Sequence, residues 1–138
     1  MNKVNLNVAK DFSEYPGGRS RKTGDHSGEE LYQDFLQPKF KEAVEGDGIL
    51  CVNLDGAAGY AASFLDEAFG RLGLEFGLEE CKKRLEIIST EEPYLVEEVF
   101  QSIKEWHVDG IHANSSLAEG IELKENNYFT KVKKKNKQ

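Results

Sequence analysis

The loop Gly17-Gly18-Arg19-Ser20-Arg21-Lys22-Thr23-Gly24 is the first place where this chain could hold an anion. Arg19, Arg21 and Lys22 supply charge, and the glycines let backbone approach a ligand closely. The loop is not a P-loop. That pattern sets Lys and Ser/Thr after its second glycine, at the start of a helix, whereas Lys22 and Thr23 precede Gly24. Two readings stay open: a small nucleotide- or phosphate-binding domain, and a solvated basic loop. The other reactive residue types form no constellation. His26, His107 and His112 have no zinc-site spacing, so neither metal nor cofactor is expected. Ser13, Ser20, Ser27 and Ser63 lack a GxSxG elbow. Asp66 and Glu67 are adjacent, so on a helix they point about 100° apart and do not make an acid/base pair. The sequence therefore predicts a binding protein and not an enzyme.

The most informative stretch runs from Leu54 to Gly70. It passes from an apolar strand through the small-residue loop Gly56–Ala62 into a helix expected from about Ser63. Such a junction gathers free backbone N–H groups and favours negative charge. Ser63 reads either as a plain N-cap, worth about 1 kcal/mol, or as a phosphoserine acceptor that would gain about −1.5 to −2 charge. Asp66 and Glu67 suit the positive end of that helix. Tyr60, Glu67 and Arg71 join Ser63 as candidate partner-binding or regulatory residues, the more so if Phe64 and Phe69 belong to the core.

The elements that must position these residues are legible in the hydrophobic pattern. Residues 3–8 alternate polar and apolar, as a half-buried strand does. Residues 11–28 read as a turn and basic loop, with room for a short hairpin at Phe12–Tyr15. Ser27 and Glu30 have capping-box spacing, and Pro38 should kink or restart the helix they open. Gly46-Asp47-Gly48 is a turn. Ile49–Leu54 is almost wholly apolar, which predicts a central strand covered on both faces. Gly70, Gly73 and Gly77 should end the next helix between Leu72 and Gly77, and Leu78–Lys83 reads as a helical turn. Leu85–Ile88 is a strand. Thr90 should cap a helix carrying Leu95, Val96, Val99, Phe100, Ile103 and Trp106, whose pattern fades after His107. Ile121–Leu123 or Tyr128–Val132 could add an edge strand. Alternating strands and helices imply an α/β domain with a mostly parallel or mixed sheet covered by helices. The expected division is an α/β domain over 1–108 and a C-terminal extension over 109–138.

Charge narrows the function classes. The chain has 138 residues and a net charge of −7, which disfavours nucleic acid. The last eight residues hold Lys131, Lys133, Lys134, Lys135 and Lys137, so the remainder has 13 basic against 25 acidic residues. The tail reads as solvated, or as a weak electrostatic tether. No apolar run approaches the length of a membrane span, and Cys51 and Cys81 form no CxxC pair. These features lead us to expect two structural thiols in a reducing cytoplasm.

Gly18-Arg19, Ser27-Gly28-Glu29 and Ser63-Phe64-Leu65-Asp66-Glu67-Ala68-Phe69-Gly70 together resemble the bacterial STAS-like domain family of unknown function, over roughly Lys3 to His107. More distantly, the chain is similar to the STAS domains of anti-sigma-factor antagonists. That resemblance implies a small α/β fold and a signalling partner, a histidine-kinase-like ATPase, which phosphorylates a serine at a helix start in the antagonists. Those proteins carry Asp-Ser-Ser/Thr-Gly there. Aligned on Gly70-Arg71, this chain has Ala61 for the acid, Ala62 for the phosphorylated serine and Ser63 for the second hydroxyl. The resemblance thus implies a binding surface around Gly56–Ala62 and the helix from Ser63.

Overall fold

The alternating N-terminal run forms β1, Lys3–Asn7, which pairs in parallel with β2, Ile49–Asn53; β2 in turn pairs in parallel with β3, Leu85–Ile88. The computed structural model describes residues 2–120, and for 112–120 the helical backbone alone. The sheet order is β1-β2-β3, so the most apolar strand is central. Val4, Leu50 and Leu85 share one row of the register, and Leu6, Val52 and Ile87 share another. Leu6, Leu50 and Val52 are at most 1% exposed. The opposite face differs. There Asn5 and Glu86 are exposed on either side of Cys51, and Lys3 Nζ lies 3.7 Å from Glu86 Oε1. Among the described residues no helix crosses this second face, although Cys51 itself is only 5% exposed there. Each crossover steps to the next strand in the same direction, and crossovers of the usual right hand then deliver every helix to one side.

After β1 the backbone makes a π-helical turn, Val8–Phe12, and Phe12–Tyr15 forms no hairpin; Ser13 N–H closes the turn on Val8 O at 2.8 Å. Helix α1, Gly28–Leu31, starts as its cap predicts, with Glu30 N–H donating to Ser27 Oγ at 3.1 Å. The Glu30 carboxylate takes His26 N–H, one residue before the capping serine. The helix restarts at Pro38, as expected. A π-helical turn, Tyr32–Leu36, precedes α2, Gln37–Glu45, and leaves Pro38 in the first turn of α2, where a missing N–H costs little.

Helix α3, Ala62–Phe76, runs through Gly70 and Gly73 and stops at Gly77, whose φ is 89°. The glycines serve packing. A Cβ at Gly70 would overlap the Trp106 ring, and one at Gly73 would overlap the Ile103 carbonyl. They let α5, Leu95–Gly120, lie directly on α3. A seven-residue α4, Leu78–Arg84, leads into β3. α5 begins at Leu95, later than a cap at Thr90 would have it, and continues past His107 to Gly120. The 108/109 boundary falls inside it. Phe40, Phe64, Phe69, Leu72, Val99 and Ile103 are fully buried between the helices and the sheet. Among the described residues no helix is long and apolar enough to cross a membrane. Ile121–Leu123, Tyr128–Val132 and the lysine-rich end lie outside the described residues.

Candidate functional site

The start of α3 is built by the loop before it. Ala61 occupies the N-cap and offers no side-chain acceptor. Ser63 is the second residue of the helix and half-buried, so it does not cap. Asp66 and Glu67 sit beyond the first turn, where the helix dipole has faded. Tyr60 fastens the loop to β2: its hydroxyl donates to Leu54 O at 2.8 Å, and its ring lies 5.8 Å from that of Phe64. Burial raises the Tyr60 phenol pKa and keeps it protonated. Asp55 fastens the loop on the other side. It accepts from Glu91 N at 2.9 Å, Thr90 N at 3.2 Å and Thr90 Oγ1 at 2.6 Å. The Glu91 backbone bond first, then the Thr90 hydroxyl, hold its carboxyl below the usual value. Ala58 N–H donates to Glu14 O at 2.8 Å. The three loops after the three strands are thus joined into one rim.

The basic loop meets α3 through Arg19. Its Nη1 donates to Asp66 Oδ2 at 3.0 Å and to Glu67 Oε1 at 3.2 Å, and Arg71 Nε reaches Glu67 Oε2 at 2.5 Å. Glu67 is only 6% exposed, so two guanidinium groups neutralise a carboxylate that could not be buried alone. The hydrogen bond to Asp66 raises the Arg19 pKa further. Asp66 and Glu67 diverge on the helix, yet one guanidinium bridges them. The backbone holds Arg19 in place, because Gly28 N–H donates to Gly18 O at 2.9 Å and Glu29 N–H to Arg19 O at 3.0 Å. At Gly28 a Cβ would overlap Phe64 O, so only glycine lets α1 begin this close to α3.

The loop's other cations go elsewhere. Arg21 donates to Gln33 Oε1 at 3.0 Å and to both Asp34 carboxylate oxygens at 3.2 Å. Lys22 is exposed. Arg19 and Arg21 are thus directed at separate helical segments. Phe64 and Phe69 are core, at 0% exposure. Beside the Arg19 network, Ser63, Asp66 and Arg19 line an open cleft of about 360 Å³ whose far wall is α5, with Glu98, Gln101 and Ser102. Tyr60, Glu67 and Arg71 do not line it; they support it. Asp55, Glu98, Gln101 and Ser102 were not singled out by sequence reasoning. An acid directly after a buried strand was the available sign of Asp55.

Gly18, Arg19, Ser27, Gly28, Asp66 and Glu67, scattered over nearly fifty positions, therefore converge where the basic loop, α1 and α3 meet. The profile of the STAS-like domain of unknown function (DUF4325) matches residues 27–95, half of the chain. The chain belongs to that family. The matched span takes in α1 to β3 and the whole of α3, and leaves Gly18 and Arg19 just outside it. No curated protein and no solved structure matches the chain.

Proposed function

We propose that this STAS-like domain is a non-enzymatic interaction or regulatory module that docks its partner over the cleft between α3 and α5. The partner we propose is a histidine-kinase-like ATPase of a signalling or defence system. One observation carries the reading: Ser63 opens into a cleft, beside Arg19, at the position where the antagonists have their second hydroxyl. A surface of this kind suits recognition. It is open, its surface is mostly apolar between polar side chains, and it is backed by an ion-pair network. A phosphate on Ser63 would lie in the first turn of α3, near unpaired N–H groups, and would compete with Asp66 for Arg19.

Purification of the chain from its native cell, in wild-type and Ser63→Asp forms, with captured proteins identified by mass spectrometry, tests the reading. Capture of such an ATPase by wild type and its release by Ser63→Asp is the expected result. Equal capture by both forms, or no ATPase in either, overturns it. The phosphate-binding reading of Arg19, Arg21 and Lys22 has less support, because both arginines already face carboxylates. Millimolar ATP or GTP should leave the melting temperature unchanged. A rise of several degrees would restore that reading.

A further inference from the structure

β3 pairs only with β2 among the described residues, so its other edge is open. Ile88 O accepts from Leu54 N–H, just past β2, at 2.8 Å. By strand alternation, Ile87 then turns its own N–H and C=O to the free edge. Its side chain is on the helix-facing side but half-buried, whereas Leu6 and Val52 in the same row are at most 1% exposed. Open edges template pairing with another chain, and lysine or proline on the strand blunts them. Leu85-Glu86-Ile87-Ile88 has neither. β1, the other edge, carries Lys3, and its Leu6 is already sealed.

Charge at the two ends of β3 selects what fits there. At its start, on α4, Lys82 and Lys83 are exposed and make no ion pair among the described residues. Their neighbour Arg84 is taken by Asp47 and Glu80, and Glu79 sits at the far end of α4. Just past the end of β3, in the loop before α5, stand Glu91 and Glu92. A strand with a basic start and an acidic end complements a second copy of itself running antiparallel, because each basic end then meets an acidic one. A parallel copy would set lysine beside lysine. The register follows from Ile87. A two-fold axis normal to the sheet sets Ile87 opposite Ile87 of the second copy, and each N–H donates to the other's C=O. The two isoleucine side chains then meet on the helix-facing side. Glu86 lies opposite Ile88 of the second copy, away from the second Glu86.

We propose that two copies of this chain pair through β3, antiparallel and about a two-fold axis at Ile87, joining two three-stranded sheets into one of six strands. A contact one short strand long buries less than a stable dimer needs, so the pairing is weak and set by concentration. It is independent of the partner proposed for the Ser63 cleft, which β3 does not line.

Sedimentation velocity and amide hydrogen exchange on the full-length chain test it. The chain should sediment as a monomer when dilute and shift toward a dimer as its concentration rises to about millimolar. The Ile87 amide should exchange more slowly over the same range, with the β1 amides unchanged. Lys82→Glu/Lys83→Glu should raise the dissociation constant about tenfold or more, and so should Glu91→Gln/Glu92→Lys. Glutamine at 91 keeps an acceptor for Gly56 N–H. The two variants mixed should associate again, since basic ends once more meet acidic ones, and that recovery shows that both fold. A monomer at every concentration overturns the proposal. So does a dimer that ignores both reversals, or a mixture that fails to associate. Ile87 protection that is the same at every concentration also overturns it, by assigning the edge to a segment of the same chain.

Discussion

The two faces of the sheet are made by the same three strands and have opposite characters. On one face Leu6, Leu50 and Val52 are sealed under helices. On the other, Asn5 and Glu86 stand exposed around Cys51. The loop, cap and ion-pair machinery lies on the helical side or at the ends of the strands. The difference teaches that the strands serve as scaffold, and that the ion pairs and close backbone contacts gather where the basic loop and α1 press on α3.

The largest effects should come from breaking the sealed side. Gly73→Ala would force a methyl into the Ile103 carbonyl and should cost about 3 kcal/mol or more. Val52→Ala should cost about 2–3 kcal/mol. Asn5→Ala, on the same sheet, should stay within about 0.5 kcal/mol. Urea denaturation of the three variants measures the contrast. A cost for Asn5→Ala equal to that of Val52→Ala would show that the second face is covered.

Next in size is Arg19→Ala. It leaves the buried Glu67 with Arg71 as its one remaining cation. Arg19 is nearly half exposed, with a relative side-chain exposure of 45%, which limits the loss to about 1–2 kcal/mol. Arg19→Ala combined with Glu67→Gln should cost less than the sum of the two changes. Strict additivity would mean that the contact contributes nothing.

The two helix-start serines sharpen the same contrast. Ser27 caps α1, so Ser27→Ala should cost about 1 kcal/mol. Ser63 caps nothing, so Ser63→Ala should cost less than about 0.5 kcal/mol. Thermal melts of the pair decide whether Ser63 is kept for stability or is available for recognition.

The smallest effect concerns acid. The Asp55 carboxyl titrates below its usual value in the folded chain. It therefore adds stability above that value, and the contribution is lost as pH falls through the lowered folded value. Asp55→Asn should lower the melting temperature at pH 7 and make the decline between about pH 5 and pH 2 shallower. An unchanged acid profile would contradict the role of Asp55 in joining the loops after β2 and β3.

Local signals carried most of the fold. The β3 run, the apolar β2 run and the Ser27 cap read correctly because each rests on neighbouring residues. Three readings were wrong or incomplete for reasons outside their own segments. α3 ends at Gly77, within the expected range, but Gly70 and Gly73 read only as weakening its turns, whereas they are sites of close approach for residues thirty or more positions away. Thr90 looks like a cap, but its hydroxyl donates to Asp55, just beyond the end of β2. Ile49–Val52 looks covered on both faces, and Leu50, Cys51 and Val52 are all buried, but among the described residues no helix crosses the Cys51 face, because nothing in one strand records which way the crossovers step. At the site, sequence named Arg19, Tyr60, Ser63, Glu67 and Arg71 but gave no contact between the basic loop and the helix. Their meeting is a tertiary fact, fixed by Gly28 and by an ion pair spanning 48 positions.

The proposed docking surface is the cleft beside Ser63 and not the open sheet face. A photo-crosslinking amino acid placed at Ala62 in one variant and at Asn5 in another, each expressed in the native cell and irradiated, tests it directly. A specific adduct with a histidine-kinase-like ATPase from position 62, and none from position 5, is the expected result. The same adduct from position 5, with position 62 silent, would contradict it.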